Sequence, residues 1–132
     1  MSAINNRILL IEDNEQNRYL ATFLLEKRGH QVVHAESGPR GLELAAAERP
    51  DLILLDIQLP GMDGHAVARA LKGDPALKAI PIVAVTSYAM AGDREKVLAA
   101  GVEGYIEKPI DPQTFAAEVE RFLAPAPKAS PP

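Results

Sequence analysis

PDLILLDIQLPGMDG, residues 50–64, carries the reading that decides the fold. Positions 52–55 (Leu-Ile-Leu-Leu) are apolar without alternation, so this segment reads as a strand covered on both faces. Asp56 follows at once and places a carboxylate at the strand's end.

Working outward, residues 8–11 and 82–85 are equally short, apolar and rich in branched side chains, and residues 31–35 and 104–107 fit weaker strands. Helical spacing lies between them: Leu20, Phe23 and Leu24 before Gly29, and Val67, Ala70 and Leu71 before Gly73. Residues 38–48, 91–100 and 112–123 fit further helices, the last with Phe115, Val119, Phe122 and Leu123 as its apolar stripe. Asn14 suits the cap of the first helix and Gly29 its end, and Asp111-Pro112 sets a capping carboxylate before a proline at the first helical position. Alternating strands and helices of this length require parallel strands with right-handed crossovers. The pattern therefore predicts an α/β fold, an open sheet with helices on both faces. No internal repeat is evident.

The 132 residues make one domain, and 47% hydrophobic content is enough for a self-standing core. Residues 1–6 read as a lead-in, 7–123 as the domain, and 124–132 (APAPKASPP, four prolines and no periodicity) as a disordered tail. Zero cysteines exclude disulfides, thiolate metal sites and cysteine nucleophiles, and fit a cytoplasmic protein. Fourteen basic against eighteen acidic residues, net −4, is the wrong sign for gripping nucleic acid. No apolar leader opens the chain, and no apolar run approaches the ~18 residues of a membrane span.

In open parallel sheets ligands bind outside the carboxyl ends of the strands, so the residues following each apolar run are the informative ones. Here they are Glu12 and Asp13, then Asp56, then Thr86 and Ser87, then Lys108-Pro109. Glu12 and Asp13 are consecutive and converge only if the strand gives way to loop there. Three carboxylates sum to −3, Lys108 leaves −2, and one divalent cation would neutralise the rest. With neither cysteine nor a nearby histidine, the donors are all oxygen, which favours Mg2+ or Mn2+ over zinc. A single acid at a strand end commonly does no more than cap a loop. Three of them, with Thr86 and Lys108 at corresponding ends, point to a site.

Ile11-Glu12-Asp13-Asn14, the stretch 50–64, Val85-Thr86-Ser87 and Glu107-Lys108-Pro109 together resemble the receiver domain of bacterial response regulators, the CheY-like superfamily. The resemblance covers residues 7–123. Residues 56–60 and 89–95 make the chain most similar to DivK-like single-domain regulators, and also to receivers of hybrid kinases. The family implies a (βα)5 flavodoxin-like, doubly wound, parallel five-stranded sheet in strand order 2-1-3-4-5, with helices on both faces.

The resemblance also implies roles. Asp56 is the nucleophile that takes a phosphoryl group from a histidine kinase or a histidine phosphotransfer protein. Asp13, Asp56 and the backbone carbonyl of Gln58 would hold Mg2+ directly and Glu12 through water, with Mn2+ able to substitute. Lys108 would supply an ion pair and Thr86 a hydroxyl hydrogen bond to the phosphoryl oxygens. Tyr105, three residues before the lysine, would turn inward as Thr86 moves. Pro109 matches the family's cis bond. Ser87 stands where the family usually has alanine or glycine, a mild departure. Gln58 and Tyr88 would sit beside the phosphoryl group and influence its hydrolysis.

A stand-alone phosphorylation switch is the expected function, promoting its own phosphorylation and slow autodephosphorylation rather than turning over a separate substrate. Its output would be a protein target bound on the face built from the fourth helix, fifth strand and fifth helix (residues 91–123), with a homodimer as rival and no nucleic acid or membrane partner. The alternative is a receiver cut from a hybrid histidine kinase or larger regulator. A haloacid dehalogenase phosphatase would place a second aspartate where Gln58 stands, and its nucleophile would follow the first strand, not the third. A flavodoxin would need a hydroxyl- and glycine-rich phosphate loop where Glu12-Asp13-Asn14 would repel phosphate. A pure interaction domain would not need the full residue set. His30, His34 and His65 lack metal spacing and read as structural, as do Met62 and Met90.

Overall fold

The computed structural model describes residues 6–59, 64–87, 95, 96 and 98–123. The apolar runs form the expected strands: β1 (Arg7–Ile11), β2 (Gln31–Ala35), β3 (Leu52–Asp56), β4 (Ile82–Thr86) and β5 (Gly104–Glu107). All pairings are parallel, in the order β2-β1-β3-β4-β5. Ile8 lies opposite Leu52, Ile53 opposite Ile82, and Val83 opposite Gly104. This register brings the carboxyl ends of β1, β3, β4 and β5 to one edge.

Helices α1 (Glu15–Glu26), α2 (Gly38–Glu48), α3 (Gly64–Lys72) and a C-terminal helix (Phe115–Glu120) flank the sheet. Alternate strand residues divide the core in two, as the twofold side-chain period demands. Leu9, Ile11, Ile53, Leu55 and Ala84 pack with Ala45 of α2 and Val67, Ala68 and Leu71 of α3. Ile8, Leu10, Leu52, Leu54, Val83 and Val85 pack with Ala21 and Leu25 of α1 and with Phe115, Ala116 and Val119. β3 and β4 are buried along their whole length, which accounts for their unbroken apolar sequence. Each Leu or Ile so enclosed contributes about 1.5–3 kcal/mol.

Asn14 caps α1 through its side-chain oxygen, which accepts from the Asn17 N–H at 2.9 Å, and Gly29 beyond the helix adopts φ +96° in the turn to β2. Two expected stripes are rotated. Ala21 and Leu25 bury in place of Phe23, which is 52% exposed beneath Lys27; Ala68 buries in place of the exposed Ala70. The C-terminal helix is shorter than the expected 112–123. The expected cap is displaced: the Asp111 carboxylate accepts from Gln113 N–H at 2.9 Å in the turn before the helix, whose own N-cap, Thr114, makes no side-chain capping bond, so Pro112 does not occupy the first helical position. Ahead of the helix the Asp111 carbonyl is shared by Thr114 N–H at 3.1 Å (i to i+3) and Phe115 N–H at 2.9 Å (i to i+4), and past its end Leu123 N–H donates to the Glu120 carbonyl at 3.2 Å, an i to i+3 bond. Of the helix expected over 91–100, Glu95, Lys96, Leu98 and Ala99 are helical. Ala100 is in a turn, its N–H donating to the Lys96 carbonyl at 3.1 Å, and positions 91–94 and 97 lie outside the described residues, as do Met62, Tyr88, Met90, the five residues at the amino end and the expected tail 124–132.

Candidate functional site

The parallel sheet delivers the sequence-predicted acids to one place. β1 ends at Ile11, and Glu12 and Asp13 follow on the turn into α1; Asp56 is the last residue of β3. Ligand atoms of Glu12, Asp13 and Asp56 all lie within 4.8 Å of one another, the only such group among the described residues. Glu12 and Asp56 are both 2% exposed, whereas Asp13 faces solvent.

Lys108 leaves the end of β5 and reaches both buried acids, its Nζ 3.2 Å from Glu12 Oε1 and 3.5 Å from Asp56 Oδ2. Its backbone N–H donates to the Thr86 carbonyl at 2.8 Å, and the Lys108–Pro109 peptide is cis. Backbone amides add to the charge compensation: Asn14 N–H donates to Glu12 Oε2 at 3.2 Å, and Gln58 N–H to Asp56 Oδ1 at 2.9 Å. Compensation of Glu12 is incomplete. Burial first, then repulsion and hydrogen bonding with Asp56, push its carboxyl up to about 7 against the opposing pull of Lys108 and the Asn14 amide. An all-oxygen donor set with excess negative charge fits a hard divalent cation.

Thr86 closes β4 and is buried beside this cluster's strand, paired across the sheet with Glu107. Tyr105 is half-buried on β5, opposite Ala84. It borders a cavity of about 480 Å3 that Glu107, Pro109, Thr114 and Phe122 also line.

Several contacts have no signature in the sequence. The Ser87 hydroxyl and N–H both donate to the Gln58 side-chain oxygen, at 2.7 and 3.3 Å, tying the ends of β3 and β4 together. Arg18 donates to the carbonyls of Glu12 and Asp13. His30, read as structural, is buried with Nε2 2.7 Å from Glu120 Oε2 of the C-terminal helix. Asn14, an expected cap, also proves to be an amide donor to the site; the run Glu12-Asp13-Asn14 was the available signal.

Comparison with known proteins bears on this arrangement. Residues 8–120 match the family model described as response regulator receiver domain. The chain is 42% identical over 119 residues to the polar-differentiation response regulator DivK of Brucella anthropi, covering 90% of this chain and 97% of that protein. Among solved structures, the signal receiver domain of a histidine kinase from Syntrophus aciditrophicus superposes with TM-score 0.84 at 32% identity, covering 95% of each chain. The receiver domain of a sensor histidine kinase from Pseudomonas aeruginosa, solved with a magnesium ion coordinated in its active site cleft, gives 0.83 at 32%, covering 91% of this chain and 98% of that one.

Proposed function

Because the chain belongs to the response regulator receiver domain family of bacterial two-component signalling, we propose that it is a phosphorylation switch whose phosphoacceptor is Asp56. The observation that carries this reading is a buried aspartate whose carboxylate is held by Gln58 N–H, faced by Lys108 and grouped with Glu12 and Asp13. A carboxylate oxygen of Asp56 attacks phosphorus of a phosphohistidine on a histidine kinase or phosphotransfer protein. The O–P bond forms as the P–N bond breaks, and the imidazole, protonated beforehand on its other ring nitrogen, leaves as neutral histidine beside an aspartyl phosphate.

Asp13, Asp56 and the Gln58 carbonyl would hold Mg2+, or Mn2+ in its place, with Glu12 engaged through water. When bound, the ion neutralises negative charge that would otherwise oppose an anionic phosphoryl group. Lys108, already placed by its cation between two acids, pairs with a phosphoryl oxygen, and the Thr86 hydroxyl donates to another. Thr86 and Tyr105 then carry the change outward: the cavity beside Tyr105 leaves room for its ring to turn, and the face formed by residues 91–123 receives a protein target or a second copy of the chain.

The near-complete coverage of the DivK relative favours a stand-alone regulator, while the likeness to two histidine-kinase receivers supports the alternative of a receiver from a hybrid kinase. No described helix is long and apolar enough to cross a membrane. A cytoplasmic setting, and a partner set without nucleic acid or membrane, belong to the same proposal. Intact-mass measurement after treatment with a small phosphodonor and Mg2+ tests it: one phosphoryl group adds to the wild type and none to Asp56→Asn, and chelation abolishes the addition. Equal incorporation in both proteins contradicts the assignment. Phosphotransfer profiling against candidate kinases then identifies the donor.

A further inference from the structure

We propose that Arg18 is a positioning residue for the divalent cation, an inference that rests on the switch reading above. Its Nη1 donates to the carbonyl oxygens of both Glu12 and Asp13, at 3.1 Å each. These residues are consecutive, and in a continuing strand their side chains would leave on opposite faces. Glu12 N–H still bonds to the Ala35 carbonyl of β2 at 3.0 Å, in the manner of a strand residue, so the chain turns between Glu12 and Asp13. One guanidinium nitrogen that binds both carbonyls fixes both peptide planes across that turn. It thereby sets the directions in which the two side chains leave the backbone. A buried Glu12 and an exposed Asp13 meet Asp56 within 4.8 Å as a result.

Arg18 is suited to this because helical side chains lean back over the preceding turn, and the turn it leans over is itself fastened. Asn14 accepts from the Asn17 N–H through its side chain and from the Arg18 N–H through its carbonyl, both at 2.9 Å. The charge of Arg18 acts in the opposite sense, since a cation beside a cation site repels the incoming ion. Arg18 is half-buried rather than enclosed, so solvent screens that repulsion, while two hydrogen bonds to a fixed carbonyl pair retain their full geometric effect.

Mg2+ titration by calorimetry of the wild type, Arg18→Met and Arg18→Lys, each also melted in EDTA, tests the proposal. Methionine keeps the apolar stem and removes donors and charge; lysine keeps one charged nitrogen donor. Arg18→Met is expected to weaken Mg2+ binding roughly tenfold, Arg18→Lys to recover most of that loss, and all three to melt alike without metal. Binding that is unchanged or tighter in Arg18→Met overturns the proposal, as does a lysine variant no better than methionine. A methionine variant that fails to fold, or whose loss is the same melting deficit with and without Mg2+, assigns Arg18 to structure alone and also overturns it. Wild-type protein that binds no Mg2+ sinks the cation reading itself; wild-type affinity retained in Arg18→Met sinks only the role of Arg18.

Discussion

Lys108 lies nearer to Glu12 than to Asp56, its Nζ 3.2 Å from the first and 3.5 Å from the second. The Lys108 ammonium is thus shared with an acid other than the proposed phosphoacceptor. Even so, Glu12 remains under-compensated, its carboxyl pushed up to about 7 by burial and by Asp56.

This has a measurable effect on metal-free protein. The folded-state value of Glu12 is raised from 4.5 to about 7, so the native state holds a proton that the unfolded chain has released across that window. Stability from this group therefore falls as pH rises from 4.5 to 7 and stays low above it. Glu12→Gln removes the penalty while its amide oxygen still accepts from Asn14. In EDTA the variant is expected to be more stable than wild type by about 1–3 kcal/mol at alkaline pH, and to show no gain near pH 4. Calorimetric melting at both pH values checks this; a variant less stable under alkaline conditions contradicts it.

The His30–Glu120 pair predicts the opposite pH sense. Hydrogen bonding to Arg28 first, opposed by burial and aided by His30, holds the Glu120 carboxyl below its ordinary value of 4.5. Its contribution is present above 4.5 and lost as pH falls through the lower folded-state value. Glu120→Ala leaves His30 without its 2.7 Å partner, and His30 Nδ1 has no hydrogen bond among the described residues. A loss of about 1–3 kcal/mol near neutral pH is expected, shrinking in acid. Denaturant unfolding at the two pH values measures it.

At the amino edge of the sheet, Lys72 Nζ donates to the carbonyls of Lys78 and Ile80 at 3.0 and 3.1 Å and to Glu103 at 2.7 Å, while Glu103 accepts the Ile82 N–H at 2.7 Å. Glu103→Ala is expected to cost about 1–3 kcal/mol of stability and to leave phosphoryl incorporation at Asp56 unchanged, since every proposed site group is at the opposite edge. Slowed incorporation in folded Glu103→Ala would disprove that separation.

Beryllofluoride with Mg2+, added as a mimic of the aspartyl phosphate, should shift backbone amide resonances beyond the immediate site mainly within residues 91–123. A ligand that favours one state must contact what differs between states; Thr86 ends the strand that precedes that segment and Tyr105 lies on the strand within it. Shifts that spare it and cluster on Gly38–Glu48 would refute the output face.

The strands and the site acids were legible because each rests on a local signal: unbroken apolar runs for β1, β3 and β4, and a polar residue at the point where each run stops. Phe23 misled because spacing records which positions are apolar, not which of two adjacent stripes meets the sheet; small Ala21 and Leu25 fit closer to it. The late start of the C-terminal helix was not legible because the Asp111 carbonyl is shared by the N–H groups of Thr114 and Phe115, and spacing of apolar residues does not record such a mixed turn. Arg18, His30 and the Gln58–Ser87 bond were hidden for a different reason. A polar residue on a surface helix looks like solvated surface, and His30 meets Glu120 across a 90-residue separation that no window spans.

The strand order has a mechanical corollary. β1 and β3, which deliver the carboxylates, are interior strands hydrogen-bonded on both sides, whereas β5, which delivers Lys108 and contains Tyr105, is the margin with one neighbour. The negative half of the site is therefore mounted on the stiffest part of the molecule and the positive half on its rim. Displacing the rim breaks one ladder where displacing the centre would break two, so a change begun at the acids finds its compliant path toward β5 rather than back through the sheet.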